Sequence, residues 1–222
     1  MTSGLRARKK QQARRAIAQA AWALFAEHGF DRVTVAQIAA AADVAVATVF
    51  NYFPTKEALV FDGMQAYEDG LLLAVRDRPA GQSALAAVAG YLAAGSERAM
   101  LPQTGPTIAV AARMIQGSRT LRLREQEILD EKTRDLAVML GRQTGASPDD
   151  PVPVAAAHAL MGVHRTVLQG TRSAALAGAT GAKLAAEVTR LVTSAVDVLD
   201  RGLGTYAQAG TERTTEPSHP QQ

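Results

Sequence analysis

Side chains suited to covalent or metal chemistry are sparse in this chain. It has no cysteine and four histidines, His28, His158, His164 and His219. Without cysteine there is no thiolate nucleophile, no disulfide and no thiolate metal site. His158 and His164 are six residues apart, which puts them on different faces of a helix and makes them a poor metal pair. No glycine-rich phosphate loop, nucleophile elbow or HExxH pattern occurs, so no catalytic residue, metal or cofactor is expected. Glu125, Glu127, Asp130 and Glu131 alternate with Arg122, Arg124, Lys132 and Arg134, the pattern of a solvated, salt-bridged helix face. The chemistry that remains is recognition. Arg6, Arg8, Lys9, Lys10, Arg14, Arg15, Arg32 and Lys56 meet only Glu27, Asp31 and Asp43 in the first 56 residues, while the whole chain carries +3. A basic head on a mildly acidic body is the footprint of a nucleic-acid-binding module joined to something else. For the first fifteen residues alone, a solvated basic terminus is the plainer alternative.

The elements that would position these groups read as helices. Hydrophobic residues make up 47 % and aromatics only 5 %, so the core must be built from Ala, Leu and Val, which favours close-packed helices over sheets. No run of eighteen apolar residues suggests a membrane span, and no apolar stretch follows the basic start as it would in a signal peptide. These features, with the missing cysteines, fit a cytoplasmic protein. Residues 1–8 read as a mobile arm. A helix from about Lys9 to His28 follows, its apolar face carrying Ile17, Ala21, Leu24 and Phe25, and Gly29 stops it. Thr34 to Gln37 reads as a capping box that opens a short second helix ending near Ala42. A third runs from Ala45 to Phe53, where Pro54 ends it. Thr55 caps a fourth. That fourth helix is expected at about 55–77 and further ones at about 82–100, 104–117, 119–144, 151–177 and 181–203, giving an all-α chain of about nine helices. Residues 204–222 are rich in Thr, Gln, Pro and Glu and read as a disordered tail. The expected domains are therefore 1–54 and 55–203.

Two short helices joined by a three- to four-residue turn form a helix-turn-helix, whose second helix enters the major groove of DNA. Here the candidate is Val35–Ala42, a turn, then Ala45–Phe53. Around it stand Gly29-Phe30, Thr34-Val35, Ile38-Ala39, Ala42-Asp43-Val44 and the run Thr48-Val49-Phe50-Asn51-Tyr52-Phe53-Pro54-Thr55-Lys56-Glu57-Ala58-Leu59. Over about residues 13–60 this resembles the TetR family of transcriptional regulators. The helix-turn-helix alone is common; its Tyr-Phe-Pro-x-Lys-Glu-x-Leu continuation is specific.

The resemblance implies roles for particular residues. Thr34 at a helix N-terminus, Thr48 and Tyr52 through their hydroxyls, and Lys56 as a point charge would meet DNA phosphates. Arg8 and Lys9 would add phosphate or minor-groove contacts. Base reading would fall to Val46, Ala47 and Asn51, flanked by Thr48 and Phe50, since Asn can bond adenine and small apolar groups touch thymine methyls. Tyr52 has the alternative of being a buried tyrosine. Val35, Ile38, Val44, Val49 and Phe53 read as core. Three positions depart from the family pattern: Asp43 stands where Gly is usual, Ala45 where Ser is frequent and Phe50 where Tyr is common. Asp tolerates positive φ at some strain, Ala cannot cap a helix, and Phe50 lacks a hydroxyl for DNA.

The remainder resembles nothing narrow. Leu184, Val188, Leu191, Ala195 and Val198 recur at the spacing of a coiled-coil seam, and Gly162, Gly170 and Ala174-Ala175 in the preceding helix permit close approach. By family analogy these two helices pair with their copies in a homodimer; the alternative is that the seam seals the monomer. A cavity between the middle helices would take a small, largely apolar effector. Its candidate lining is Phe61, Met64, Tyr67, Tyr91, Met100, Met114, His158, Met161, His164 and Arg165, each of which has plain core or surface as its alternative. The function expected is that of a sequence-specific DNA-binding repressor released from a palindromic operator by that effector. Its rivals are an activator or DNA-binding protein without an effector, and a helical enzyme acting on acidic substrate or RNA.

Overall fold

The computed structural model describes residues 2–202, and the expected disordered tail lies outside them. Among the described residues there are ten helices and no strand. They are α1 (Thr2–His28), α2 (Val35–Ala41), α3 (Val46–Tyr52), α4 (Ala58–Arg76), α5 (Ala84–Ala93), α6 (Gly95–Ala99), α7 (Thr104–Gly117), α8 (Arg119–Thr144), α9 (Val152–Leu176) and α10 (Gly181–Asp200). No single helix among them is long and apolar enough to cross a membrane.

Local chemistry sets most of the boundaries. Gly29, at φ 80°, ends α1 with its N–H on the Phe25 carbonyl, a conformation open to glycine at no steric cost. The Thr34 capping box is present: the Thr34 hydroxyl accepts from the Gln37 amide, and the Gln37 side chain accepts from the Thr34 amide. Asp43, at φ 52°, is the single non-glycine residue with positive φ among the described residues. Ala45 opens α3 with no side-chain cap, and Phe53 leaves the helix just before Pro54. The Thr55 hydroxyl accepts from the Ala58 amide at the start of α4, two residues later than expected.

Two expectations are corrected. The segment read as a loose arm is helical from Thr2. Between Leu5 and Ile17 the chain is Arg, Ala, Lys and Gln, all good helix formers with no breaker among them. The single helix expected over 82–100 is two, divided at Ala94. There the Ser96 hydroxyl donates to the Ala93 carbonyl beside Gly95, and both features loosen a helix ladder.

The helices enclose two apolar cores. One gathers Ile17, Phe25, Phe30, Ile38, Val49 and Phe53 from α1–α3 and the 29–33 loop, with Leu59, Val60 and Phe61 from the start of α4. Met114, Ile115, Leu121 and Ile128, from the adjoining ends of α7 and α8, complete it. The other is built from α4, α5 and α7–α10 around Leu71, Val88, Leu136, Ala157, Met161 and Leu184. Thus α4, α7 and α8 contribute to both.

Candidate DNA interface and ligand cavity

α2 and α3 bend by 99° at their break, within the range of a helix-turn-helix. The turn is held by the Val44 amide on the Ala39 carbonyl. Val49 and Phe53 on α3, with Ile38 and Ala39 on α2, are buried and fix the pair against α1. That leaves Val46, Ala47, Phe50 and Asn51 exposed in adjacent i, i+4 rows on the outer face of α3. Val46 is 41 % and Phe50 46 % exposed, high for apolar side chains on a seven-residue helix. Thr48 and Tyr52 are half-buried beside them, and Arg8 and Lys9 are exposed on α1.

Lys56 is placed differently from the phosphate-facing role implied for it. Its ammonium donates to the carbonyls of Phe30 and Val33, both at 3.0 Å, and lies 4.2 Å from the centre of the Phe30 ring. Two of its three N–H donors are therefore occupied in holding the start of α4 to the 29–33 loop. The Thr34 hydroxyl is likewise engaged in its own cap. Two further ties bind α4 to α1: Arg14 pairs with Asp62, and Trp22 Nε1 donates to the Leu59 carbonyl at 3.1 Å. Ser118, buried at the start of α8, donates to Asp31 at 2.8 Å.

The same α4 walls a cavity of about 280 Å³ in the second core. Of the residues expected to line it, Met64, Tyr67 and His164 do so. Tyr91 stands behind Tyr67, with ring centres 5.1 Å apart and its hydroxyl donating to the Tyr67 carbonyl. The remaining candidates lie elsewhere. Phe61 and Met161 are packed in the two cores. Met114 belongs to the core beneath the helix-turn-helix and borders the cleft between Gly29 and Gly117. His158 and Met100 are exposed. Arg165 pairs with Asp130 on the surface. Methionine and aromatic content did not separate these positions, because packing and ligand contact call for the same residue types.

Three charged residues at the cavity were missed. Glu68 is fully buried on α4, with Oε1 2.7 Å from Nε2 of the equally buried His164 on α9. Arg172 makes a two-pronged pair with Glu125 across α8 and α9. Arg98 on α6 lies 5.3 Å from the centre of the Tyr67 ring. Glu68 had a legible signal: it falls in the apolar stripe that runs through Phe61, Leu71, Leu72 and Val75, where a carboxylate needs a partner. Burial, with lesser effects from its neighbours, pushes the Tyr67 phenol up to about 12.

The seam expected to bind a second copy is largely internal. Leu184 and Val188 are buried in the body's own core. Leu191 fills the space at Gly170, where a Cβ would come within 2.7 Å of its methyl carbons. Ala195 is half-buried, whereas Val198 is exposed. Seam spacing states that a helix has an apolar partner and leaves open whether that partner belongs to the same chain. Gly162 lies on the outer face of α9, where an added Cβ would meet nothing within 4 Å. No group of three or more His, Asp or Glu residues suited to a metal occurs among the described residues.

These features define a helix-turn-helix head on an all-helical body that holds an apolar cavity. Residues 17–62 match the family described as bacterial regulatory proteins, tetR family. The transcriptional regulator TcmR of Streptomyces glaucescens is 37 % identical over 87 residues, covering 39 % of this chain and 38 % of that relative. A solved TetR-family regulator from Syntrophomonas wolfei superposes with a TM-score of 0.56 at 17 % identity, covering 85 % of this chain and 97 % of that one. FadR of Bacillus subtilis, solved with stearoyl-CoA, gives 0.52 at 22 % identity, covering 82 % and 96 %. At such identities the two structures speak for the fold. Over residues 17–62 the chain carries a helix-turn-helix domain that matches the tetR family of bacterial regulatory proteins, and the body shares the fold of the solved TetR-family regulators.

Proposed function

We propose that this chain is a cytoplasmic, homodimeric repressor that leaves a palindromic operator when a small, largely apolar molecule enters the cavity. The observation that carries this reading is the double use of α4. Lys56, Leu59 and Asp62 tie it to the helix-turn-helix head, while Met64, Tyr67 and Glu68 on the same helix line the cavity. Six residues separate Asp62 from Glu68, about 9 Å of helix rise. A ligand that displaces this stretch of α4 moves the head as well. In a dimer, that changes the separation of the two α3 helices, which must lie about 34–36 Å apart to enter successive major grooves. The head, residues 1–54, would read bases through Val46, Ala47, Phe50 and Asn51, with Thr34, Thr48 and Tyr52 at phosphates and Arg8 and Lys9 adding charge. Residues 55–203 would hold effector and partner. Ligand and DNA then oppose each other by one coupling free energy, in both directions.

Fluorescence anisotropy on the DNA upstream of the coding region, over a salt series, tests the reading. Expected is tight binding of a dimer to a palindrome. Asn51→Ala should lose sequence preference, and removing Arg8 and Lys9 together should flatten the salt slope by about two. Weak binding without sequence preference, unchanged in both variants, overturns it. Effector-insensitive DNA binding instead favours a regulator without a ligand.

A further inference from the structure

The cavity of about 280 Å³ is walled chiefly by Met64, Leu92, Ile108, Val167, Leu168 and Val188. A ligand that fills it must be apolar over most of its surface. Besides Tyr67, four charged or titratable side chains border it: Glu68, Arg98, His164 and Arg172. Three of them are already engaged. Glu68 and His164 are buried against each other. A lone charge is costly in such surroundings, so the pair holds one shared proton and no net charge. Arg172 is gripped by both oxygens of Glu125, which closes that charge as well.

Arg98 is the exception. Among the described residues no carboxylate lies within ion-pair distance of it, and its side chain is open to solvent. Its guanidinium carbon stands 5.3 Å from the centre of the Tyr67 ring. Its Nη2 is 3.7 Å from the place a Cβ on Gly95 would take. Tyr67 and Gly95 are both cavity wall, so the guanidinium itself sits at the cavity's edge, within reach of whatever enters. Its charge also acts on the Tyr67 hydroxyl, against the larger effect of burial. An aromatic ring steadies a guanidinium without neutralising it. The planar fork of N–H donors matches the two oxygens of a carboxylate. The site is thus an apolar space with one cation at its rim that no side chain in contact compensates.

Resting on the cavity reading above, we propose that the cavity takes an otherwise apolar molecule bearing a single carboxylate, which pairs with the Arg98 guanidinium. A neutral analogue leaves Arg98 to water, and a cationic one is repelled by it. Because Arg98 is exposed, water and salt screen the pairing, so the carboxylate advantage is largest at low ionic strength.

The test uses the full chain, without DNA, and three probes of similar shape: 2-naphthoate, 2-naphthamide and 2-naphthylmethylamine. Calorimetric titration at about 20 mM salt should find naphthoate bound about tenfold more tightly than the amide, with the amine weakest. At about 0.5 M salt the naphthoate advantage should shrink to about threefold or less, while the affinity of the uncharged amide barely moves. Arg98→Gln removes the charge and keeps a polar side chain, and should bring naphthoate and amide to within about twofold at low salt. The melting temperature should hold, because Arg98 is exposed and fills no core. Arg98→Met repeats the loss of charge with an apolar stem that can still lie on Tyr67, and serves if the first variant does not fold. The proposal is overturned if none of the probes binds, if naphthoate has no advantage over the amide at low salt, or if that advantage is indifferent to salt. It is also overturned if the advantage survives the loss of the Arg98 charge, which would put the anion on another cation, as in the basic head. Operator release by 2-naphthoate is measured separately. Carboxylate preference without DNA binding sinks the repressor reading and leaves this one standing; operator binding without carboxylate preference does the reverse.

Discussion

At the scale of single residues, the most instructive is Lys56. A lysine in this motif reads as a phosphate contact, yet here it spends two donors on backbone carbonyls and rests on Phe30. Lys56→Met is expected to cost about 1–2 kcal/mol, from hydrogen bonds to a charged donor and a cation–π contact. Thermal denaturation checks this; an unchanged melting temperature with a salt slope lower by about one would return Lys56 to the phosphate role alone. Ala45 has the backbone of an N-cap, φ −71° and ψ 149°, and no side-chain oxygen to use it. Ala45→Ser should stabilise by about 0.5–1 kcal/mol, read from the shift in denaturation midpoint. Tyr67 sets a pH limit. Its phenol is raised from 10.0 to about 12, mainly by burial. A group with a higher folded than unfolded pKa contributes stability below its unfolded value and loses it as pH rises through the folded one. The wild type should therefore lose stability relative to Tyr67→Phe across that alkaline window, with one phenolate absorbance change near pH 12 missing from the variant.

Among the elements, the proposed function places the coupling of ligand to DNA on α4 and the α7–α8 junction. Ser118 caps α8 through the Leu121 amide and also donates to Asp31 beside the head. Ser118→Ala removes both bonds and should cost about 1–2 kcal/mol in an equilibrium unfolding experiment. Asp62→Asn weakens the tie to Arg14 without touching the cavity. It should leave effector binding unchanged while reducing the ability of a bound effector to release DNA, a split visible by comparing calorimetry with anisotropy. The helical start at Thr2 carries a lesson of the same scale. A run of lysine, arginine and glutamine has charge to attract DNA and also high helix propensity, so basic character alone does not make an arm flexible.

For the whole molecule, the question is what lies outside the two cores. The inward side of α10 is spent on α9, α5 and α6, so in the homodimer proposed above the second copy would use the outer faces of α9 and α10, where Gly162 and Val198 are exposed. Gly162→Arg places a long cation on that face at a position with open space within the chain. The variant should fold with an unchanged or higher melting temperature, since glycine is a poor helix former, yet sediment as a monomer and lose operator binding at least about a hundredfold. A dimeric variant would place the interface elsewhere.

What was legible in the sequence was local. The capping box at Thr34, the stop at Gly29, the strained turn at Asp43, the break at Pro54 and the apolar face of α1 all arise from neighbours a few residues apart, and a linear reading captures such forces. The exposed outer face of α3 was legible for the same reason, because its inner residues Val49 and Phe53 follow the helical period. Only the tertiary structure decided the rest. It brought Glu68 and His164, 96 residues apart, into one buried pair. It turned Leu184 and Val188 into the monomer's own core, and drew Lys56 onto Phe30. A buried polar group is defined by what surrounds it, and a seam by what it meets. Both depend on contacts between distant segments, which the order of residues along a chain does not display.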